Sequence, residues 1–92
     1  MGAEVMTKKE VKVVLSCPSK PLLMLALELV NLTIKEINSI RAVDIDGLTN
    51  EEASETLNYS ITSIKKYRKN AYDKMSKAWK NEELIAKILE WE

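Results

Sequence analysis

The sequence predicts an all-α protein with a trihelical helix-turn-helix core, flanking N- and C-terminal helices and a short N-terminal strand or arm. Apolar residues recur at helical spacing through most of the chain, two near-repeats carry a helix-capping pattern, and a tight polar link precedes a basic helix. The expected organisation is an N-terminal arm over residues 1–17 and a single helical domain over residues 18–92, with the helix-turn-helix at about residues 33–79.

The N-terminal region shows a different pattern from the rest. Val11, Val13, Leu15 and Cys17 recur at every second position, a period that favours a short strand. Because an isolated strand is not stable alone, it would pair with its copy in a second subunit or pack as an extended arm.

A nearly all-apolar helix follows two prolines. Pro21 suits the first turn of a helix that runs to about residue 31, in which Glu28 is the clearly polar residue. A helix that is apolar on every side is expected to be buried, either in the domain core or against another subunit. Leu23 and Leu27 are the candidate partner contacts here.

Two capping boxes begin the next two helices. Thr33 and Thr49 are each followed three residues later by a glutamate, Glu36 and Glu52, so that each threonine caps the helix and each glutamate reaches back to the cap amide. The apolar stripe of the first helix is predicted to comprise Ile34, Ile37, Ile40 and Val43. Asp46-Gly47 is a turn signal that ends this helix.

A short link then leads into a basic helix. Asn58 can adopt the left-handed conformation that helix ends often need, and Ser60 can cap the helix that follows, over about residues 60–75. Its core face is predicted to comprise Ile61, Ile64, Ala71, Tyr72 and Met75. Its opposite, polar face carries Thr62, Lys65, Lys66, Lys69 and Asn70. A basic face therefore opposes a core face.

The amino-acid composition limits the classes of function that we expect for this chain. The 14 basic and 14 acidic residues balance, histidine is absent, and Cys17 is the single cysteine. Histidine is the most common general base and metal ligand, and a glycine-rich loop commonly binds the phosphates of nucleotides. The sequence has neither, so we expect no enzyme activity, no metal and no cofactor. No apolar run is long enough to span a bilayer, and we expect a cytoplasmic protein in a reducing compartment.

Residues 32–75 resemble the LuxR/GerE-type helix-turn-helix of bacterial response regulators and quorum-sensing activators. The resemblance covers about half of the chain, and it rests on three motifs in register: Leu-Thr-x-x-Glu at 32–36, Leu-Thr-Asn-Glu-Glu-Ala at 48–53, and Ser-Ile-Lys at 63–65. The chain departs from the family at Tyr67, where histidine or valine is frequent, and at Asn58, where glycine is usual.

The resemblance implies a helix that reads the major groove of double-stranded DNA. Lys65, Lys66 and Lys69 match the family's base-contacting positions, and Thr62 and Ser63 lie near the helix N-terminus, where hydroxyls and amides can hold a phosphate. The family's final helix, a dimer contact in many members, would correspond to residues 81–91. The candidate contacts on that helix are Leu84, Ile88 and Trp91.

Three functions remain open at this point. The first is a sequence-specific transcriptional regulator that binds duplex DNA as a homodimer, without a receiver or ligand-binding domain in this chain. The second is a sigma-factor-like or phage packaging protein. The third is a protein-interaction module or anti-activator that uses its apolar terminal helix and does not bind DNA.

Overall fold

A computed structural model of the chain describes residues 6–90 and confirms the all-α class. Within that range there is no strand, and six α-helices are joined by short links and one π-helical turn. The helices are α1 (Lys8–Leu15), α2 (Lys20–Glu28), α3 (Ile34–Ile40), α4 (Asn50–Leu57), α5 (Ile61–Ala78) and α6 (Glu83–Glu90), with the π-helical turn at Arg41–Ile45.

The predicted N-terminal strand is wrong, because this segment forms the helix α1. The Thr7 hydroxyl accepts from the Glu10 amide at 3.1 Å, and the Glu10 carboxylate accepts from the Thr7 amide at 2.9 Å, a complete capping box. Val11, Val14 and Leu15 are buried at helical spacing. Val11 and Leu15, four residues apart, fit both a period of two and a helical period, so the alternation alone was ambiguous.

The described residues form two compact units. The central unit is Leu32–Ala71, and the terminal unit joins the residues up to Asn31 with those from Tyr72 onward. Helix α5 contributes to both units. Each unit has its own set of buried side chains.

The core of the central unit brings three helices together around small residues. Ala42, Ala53 and Ile64 form a buried cluster. The partly buried side chains packed against it are Val43, Leu48, Leu57 and Tyr59. Because alanine lets neighbouring helices approach closely, Ala53 allows α4 to pack against the helices beside it.

Helix α3 differs from the predicted apolar stripe at one position. Ile34, in its first turn, is 76% exposed, whereas Glu36 and Ile40 are 4% and 0% exposed. The Glu36 carboxylate folds back to accept from the Thr33 amide at 2.9 Å, and this cap helps Glu36 to occupy a buried position. The predicted apolar stripe is therefore wrong at Ile34.

A π-helical turn ends the α3 segment. The Asp46 amide donates to the Arg41 carbonyl at 2.8 Å, five residues back, which widens the helix by one residue. Gly47 follows with a φ of +81°, a left-handed conformation that glycine accepts without strain. The chain thus turns where Asp46-Gly47 predicted it, and the turn leads directly to the capping box of α4.

The terminal unit is built from α1, α2, α6 and the second part of α5. Trp79 is fully buried, and its indole Nε1 donates to the Ala26 carbonyl at 2.7 Å. Helices α1 and α6 pack against each other. None of the helices in residues 6–90 combines the length and the apolar character that crossing a membrane requires.

Candidate nucleic-acid interface

The link between α4 and α5 has the geometry that the sequence predicts. Asn58 has φ 60° and ψ 37°, a left-handed conformation that ends α4. The Ser54 hydroxyl donates to the Tyr59 carbonyl across the link. The Ser60 hydroxyl accepts from the Ser63 amide at 3.0 Å and so caps α5. These contacts set where α5 begins and in which direction it leaves the link.

The exposed side of α5 in the central unit is basic. Thr62, Lys65, Lys66 and Lys69 are all exposed, and we call these four residues the lysine face. At about 100° per residue they lie on one side of the helix, while Ile64 and Ala71 are completely buried. None of the three lysines forms an ion pair with a described residue, so their charges face solvent.

Two further predicted site residues lie at the edge of the lysine face. Ser63 is half-buried, and its hydroxyl oxygen accepts from the Ser60 hydroxyl at 2.8 Å. Asn70 is also half-buried. Ser63 therefore belongs partly to the cap of α5, and its hydroxyl is less available to a ligand than that of Thr62.

Arg68 is a structural residue within the basic segment. Its guanidinium donates from Nε and Nη2 to the two carboxylate oxygens of Asp44, both at 2.9 Å, and from Nη1 to the Asn50 side chain at 3.3 Å. Such a two-pronged pair is geometrically specific. It ties α5 to the π-helical turn and to the first residue of α4, so the Arg68 charge is neutralised inside the central unit.

The tyrosines of the central unit also serve packing. The rings of Tyr59 and Tyr67 meet edge to face, with centroids 5.7 Å apart. The Asn38 side-chain amide donates to the Tyr59 hydroxyl at 3.3 Å, and the Lys35 ammonium lies 6.0 Å from the Tyr67 ring centroid. Tyr67, the departure from the family pattern, thus has partners within the protein.

Ile61 is a surface residue that the sequence prediction assigned to the core. It is the first residue of α5 and is 39% exposed. By helical geometry it lies about 40° from Lys65 and about 60° from Ile64, so it stands between the lysine face and the core. This angular position follows from the sequence alone, so helical spacing could have predicted that Ile61 lies beside the lysine face.

Two of the five predicted dimer contacts are buried within the chain. Leu23 and Ile88 are only 2% and 3% exposed and belong to the core of the terminal unit, so neither can contact a partner without opening that core. Leu27 and Leu84 are half-buried. Trp91 lies outside the described residues.

Comparison with known proteins finds no relative of this chain. No protein-family model, curated protein or solved structure matches the chain. The LuxR/GerE resemblance therefore stays a prediction from the motifs in residues 32–75.

Proposed function

We propose that this protein binds duplex DNA by inserting the lysine face of α5 into the major groove, and that it acts as a sequence-specific regulator of transcription. The observation that carries the proposal is the division of α5 into two sides. One side is anchored by buried Ile64 and paired Arg68, and the other presents Lys65, Lys66 and Lys69 to solvent.

The architecture around α5 suits a recognition helix. The major groove of B-DNA is wide enough to admit an α-helix, and in helix-turn-helix proteins the second helix of the motif enters it. Helix α5 follows the short α4 after a link of three residues, 58–60. The Arg68 pair with Asp44 holds α5 in place, which favours precise positioning of side chains in a groove.

The chemistry of the lysine face suits both parts of DNA recognition. A lysine ammonium can donate to guanine O6 and N7 or neutralise a phosphate. The exposed Thr62 hydroxyl, in the first turn of α5, is placed for a phosphate contact at the positive end of the helix dipole. Although the whole chain has no net charge, this face is locally positive.

Exposed Ile61 adds an apolar contact beside the lysines. An apolar side chain in the major groove can contact the 5-methyl group of thymine. Ile61 is therefore proposed to favour thymine next to the bases or phosphates that Lys65 contacts. If the major groove covers Ile61, this exposed apolar side chain is removed from solvent when DNA binds.

The test is a binding titration by fluorescence anisotropy with a mixed-sequence duplex over a series of salt concentrations. The wild type is compared with Lys65→Ala/Lys66→Ala/Lys69→Ala. If all three lysines contact phosphates, the slope of log Kobs against log salt becomes shallower by about 3, since each neutralised phosphate contributes roughly 0.9. If the lysines contact bases instead, their removal lowers the affinity with a smaller change in slope.

A matched control separates the lysine face from charge in general. Lys8→Ala/Lys9→Ala/Lys12→Ala removes the same charge from exposed lysines of α1 and should leave affinity and slope nearly unchanged. Equal losses in both triple variants would contradict the proposal. If the folded wild type does not bind even at low salt, the protein-interaction module becomes the better explanation.

Sequence specificity and the regulatory role need separate measurements. Selection from a random duplex library should enrich a defined sequence with the wild type and not with the Lys65, Lys66 and Lys69 triple variant. Reconstituted transcription from a template carrying that sequence then distinguishes a regulator from a sigma-factor-like or packaging protein.

A further inference from the structure

Helix α2 presents an apolar face to solvent. Met24, Leu25 and Leu29 are 49%, 50% and 40% exposed, although the other side of the helix buries Leu23 and Ala26 in the terminal unit. Among the described residues, the other exposed large apolar side chains, Ile34 and Ile61, stand on other helices. A concentration of exposed apolar side chains on one short helix is typical of an interaction surface.

The charges at the two ends of α2 are opposite to those a lone helix favours. Lys20 is its first residue and Glu28 its last, and both are exposed. The N-terminus of a helix is the positive end of its dipole and the C-terminus the negative end, so each charge stands at the end of like sign. By contrast, α1, α3, α4 and α6 each carry an acidic residue in the first turn.

We propose that α2 forms the interface of a homodimer, in which it packs antiparallel against α2 of a second copy. In that arrangement Lys20 of each copy approaches Glu28 of the other. Each of these charges also comes close to the opposite dipole end of the neighbouring helix. Met24 and Leu25 lie at the middle of α2 and would be covered at the centre of the interface.

The two-fold arrangement follows from self-complementarity. In a symmetric dimer the same patch is used twice, so a surface must match its own copy. Helix α2 does so, because exposed Met24 and Leu25 lie between Lys20 at one end and Glu28 at the other. A parallel arrangement would instead bring Lys20 close to Lys20 and Glu28 close to Glu28.

The small size of the described fold gives a second reason to favour another copy. A fold as small as the one that residues 6–90 form buries a smaller fraction of its surface than a larger domain does, and oligomerisation is a common source of additional stability. This proposal does not depend on DNA binding, and its test uses no DNA.

The test measures the monomer–dimer equilibrium of the full chain by sedimentation at concentrations up to about 1 mM. The wild type should dimerise, and Leu25→Glu should raise the dimer dissociation constant at least about tenfold, as expected for a central apolar contact. Ile34→Glu changes an exposed isoleucine of α3 in the same way and should leave the equilibrium unchanged.

Charge exchange tests the antiparallel orientation. Lys20→Glu and Glu28→Lys should each weaken the dimer, and the double variant Lys20→Glu/Glu28→Lys should restore it to near the wild-type level. Each single change places a charge at the favourable end of the helix dipole, so circular dichroism should show a folded chain, and weaker dimerisation cannot be ascribed to unfolding.

Three results would overturn the proposal. They are a monomeric wild type over the whole concentration range, a dimer that Leu25→Glu does not weaken, and single charge variants that dimerise as well as the wild type. If Leu25→Glu does not fold, the dimerisation of the Lys20 and Glu28 variants alone supports or contradicts the proposal.

Discussion

Asn58 and Ile61 show how single residues shape the candidate interface. Asn58 has a positive φ, which asparagine tolerates better than most residues because its short polar side chain can bond locally. It ends α4 so that Ser60 can cap α5 only three residues after Leu57. Ile61 follows the cap and is exposed beside Lys65. The turn thus determines which side chains stand at the N-terminal end of α5.

Ile61 yields a prediction about base preference. Once a preferred duplex has been selected with the wild type, replacing one thymine with deoxyuridine removes only the 5-methyl group. At the thymine that Ile61 contacts, this change should weaken wild-type binding several-fold, because apolar contact with the methyl group is lost. The same replacement in the duplex should not change the affinity of the Ile61→Ala variant. Affinities are measured by fluorescence anisotropy at constant salt.

Ile34→Ala serves as the control for Ile61→Ala, because Ile34 is an exposed isoleucine outside α5. It should show the same sensitivity to deoxyuridine as the wild type. A preferred duplex with no sensitive thymine would remove the role proposed for Ile61 but leave DNA binding intact. The absence of any preferred duplex would instead contradict sequence-specific binding.

At the scale of elements, the helices of the central unit begin in the same way and are joined by a few specific contacts. Capping boxes start α3 and α4, and a serine cap starts α5. The Arg68 pair with Asp44 then links α5 to the π-helical turn. One side of α5 is thus held by packing and an ion pair, which leaves the lysine face free.

The Arg68–Asp44 contact predicts a measurable coupling in stability. The two side chains are 22% and 9% exposed, so the pair is shielded more than a surface ion pair, which usually contributes little. In a double-mutant cycle with Arg68→Gln and Asp44→Asn, we expect a coupling free energy of about 1–2 kcal/mol from urea unfolding.

The control cycle pairs Asp44→Asn with Lys65→Gln. Lys65 is exposed and forms no ion pair within the described chain, so the two changes should be additive. Additivity in the Arg68 cycle as well would mean that the contact does not stabilise the fold. The ion pair would then not explain how α5 is held in place for DNA binding.

At the scale of the whole molecule, two small units share one chain and one long helix. Each unit has its own buried side chains, and the opposing charges of the chain cancel. DNA binding is proposed for a surface of the central unit and dimerisation for a surface of the terminal unit. Variants on these two surfaces are therefore expected to affect different measurements.

Dimerisation predicts that thermal stability depends on protein concentration. Because mass action favours the associated folded state, a rise of about 100-fold in chain concentration should increase Tm of the wild type by several degrees. Leu25→Glu should show almost no increase, whereas Ile34→Glu should behave as the wild type does. Circular dichroism melts at matched scan rates provide the measurement, and a wild-type Tm that does not vary with concentration would contradict the dimer.

Several features of the central unit could be predicted because they depend on residues close together in the sequence. A capping box joins residues three positions apart, as Thr33 and Glu36 or Thr49 and Glu52 do. The left-handed conformation of Asn58 depends mainly on that residue itself. The exposure of Lys65, Lys66 and Lys69 follows from their charge and helical spacing.

By itself, then, the sequence determined the all-α class, the main helices, their caps and the lysine face. Only the tertiary structure decided that Ile34 is exposed while Glu36 is buried, and that Arg68 pairs with Asp44. The physical reason is the range of the contacts. A cap is completed within one helical turn, whereas Arg68 and Asp44 are 24 residues apart, and burial depends on which elements meet.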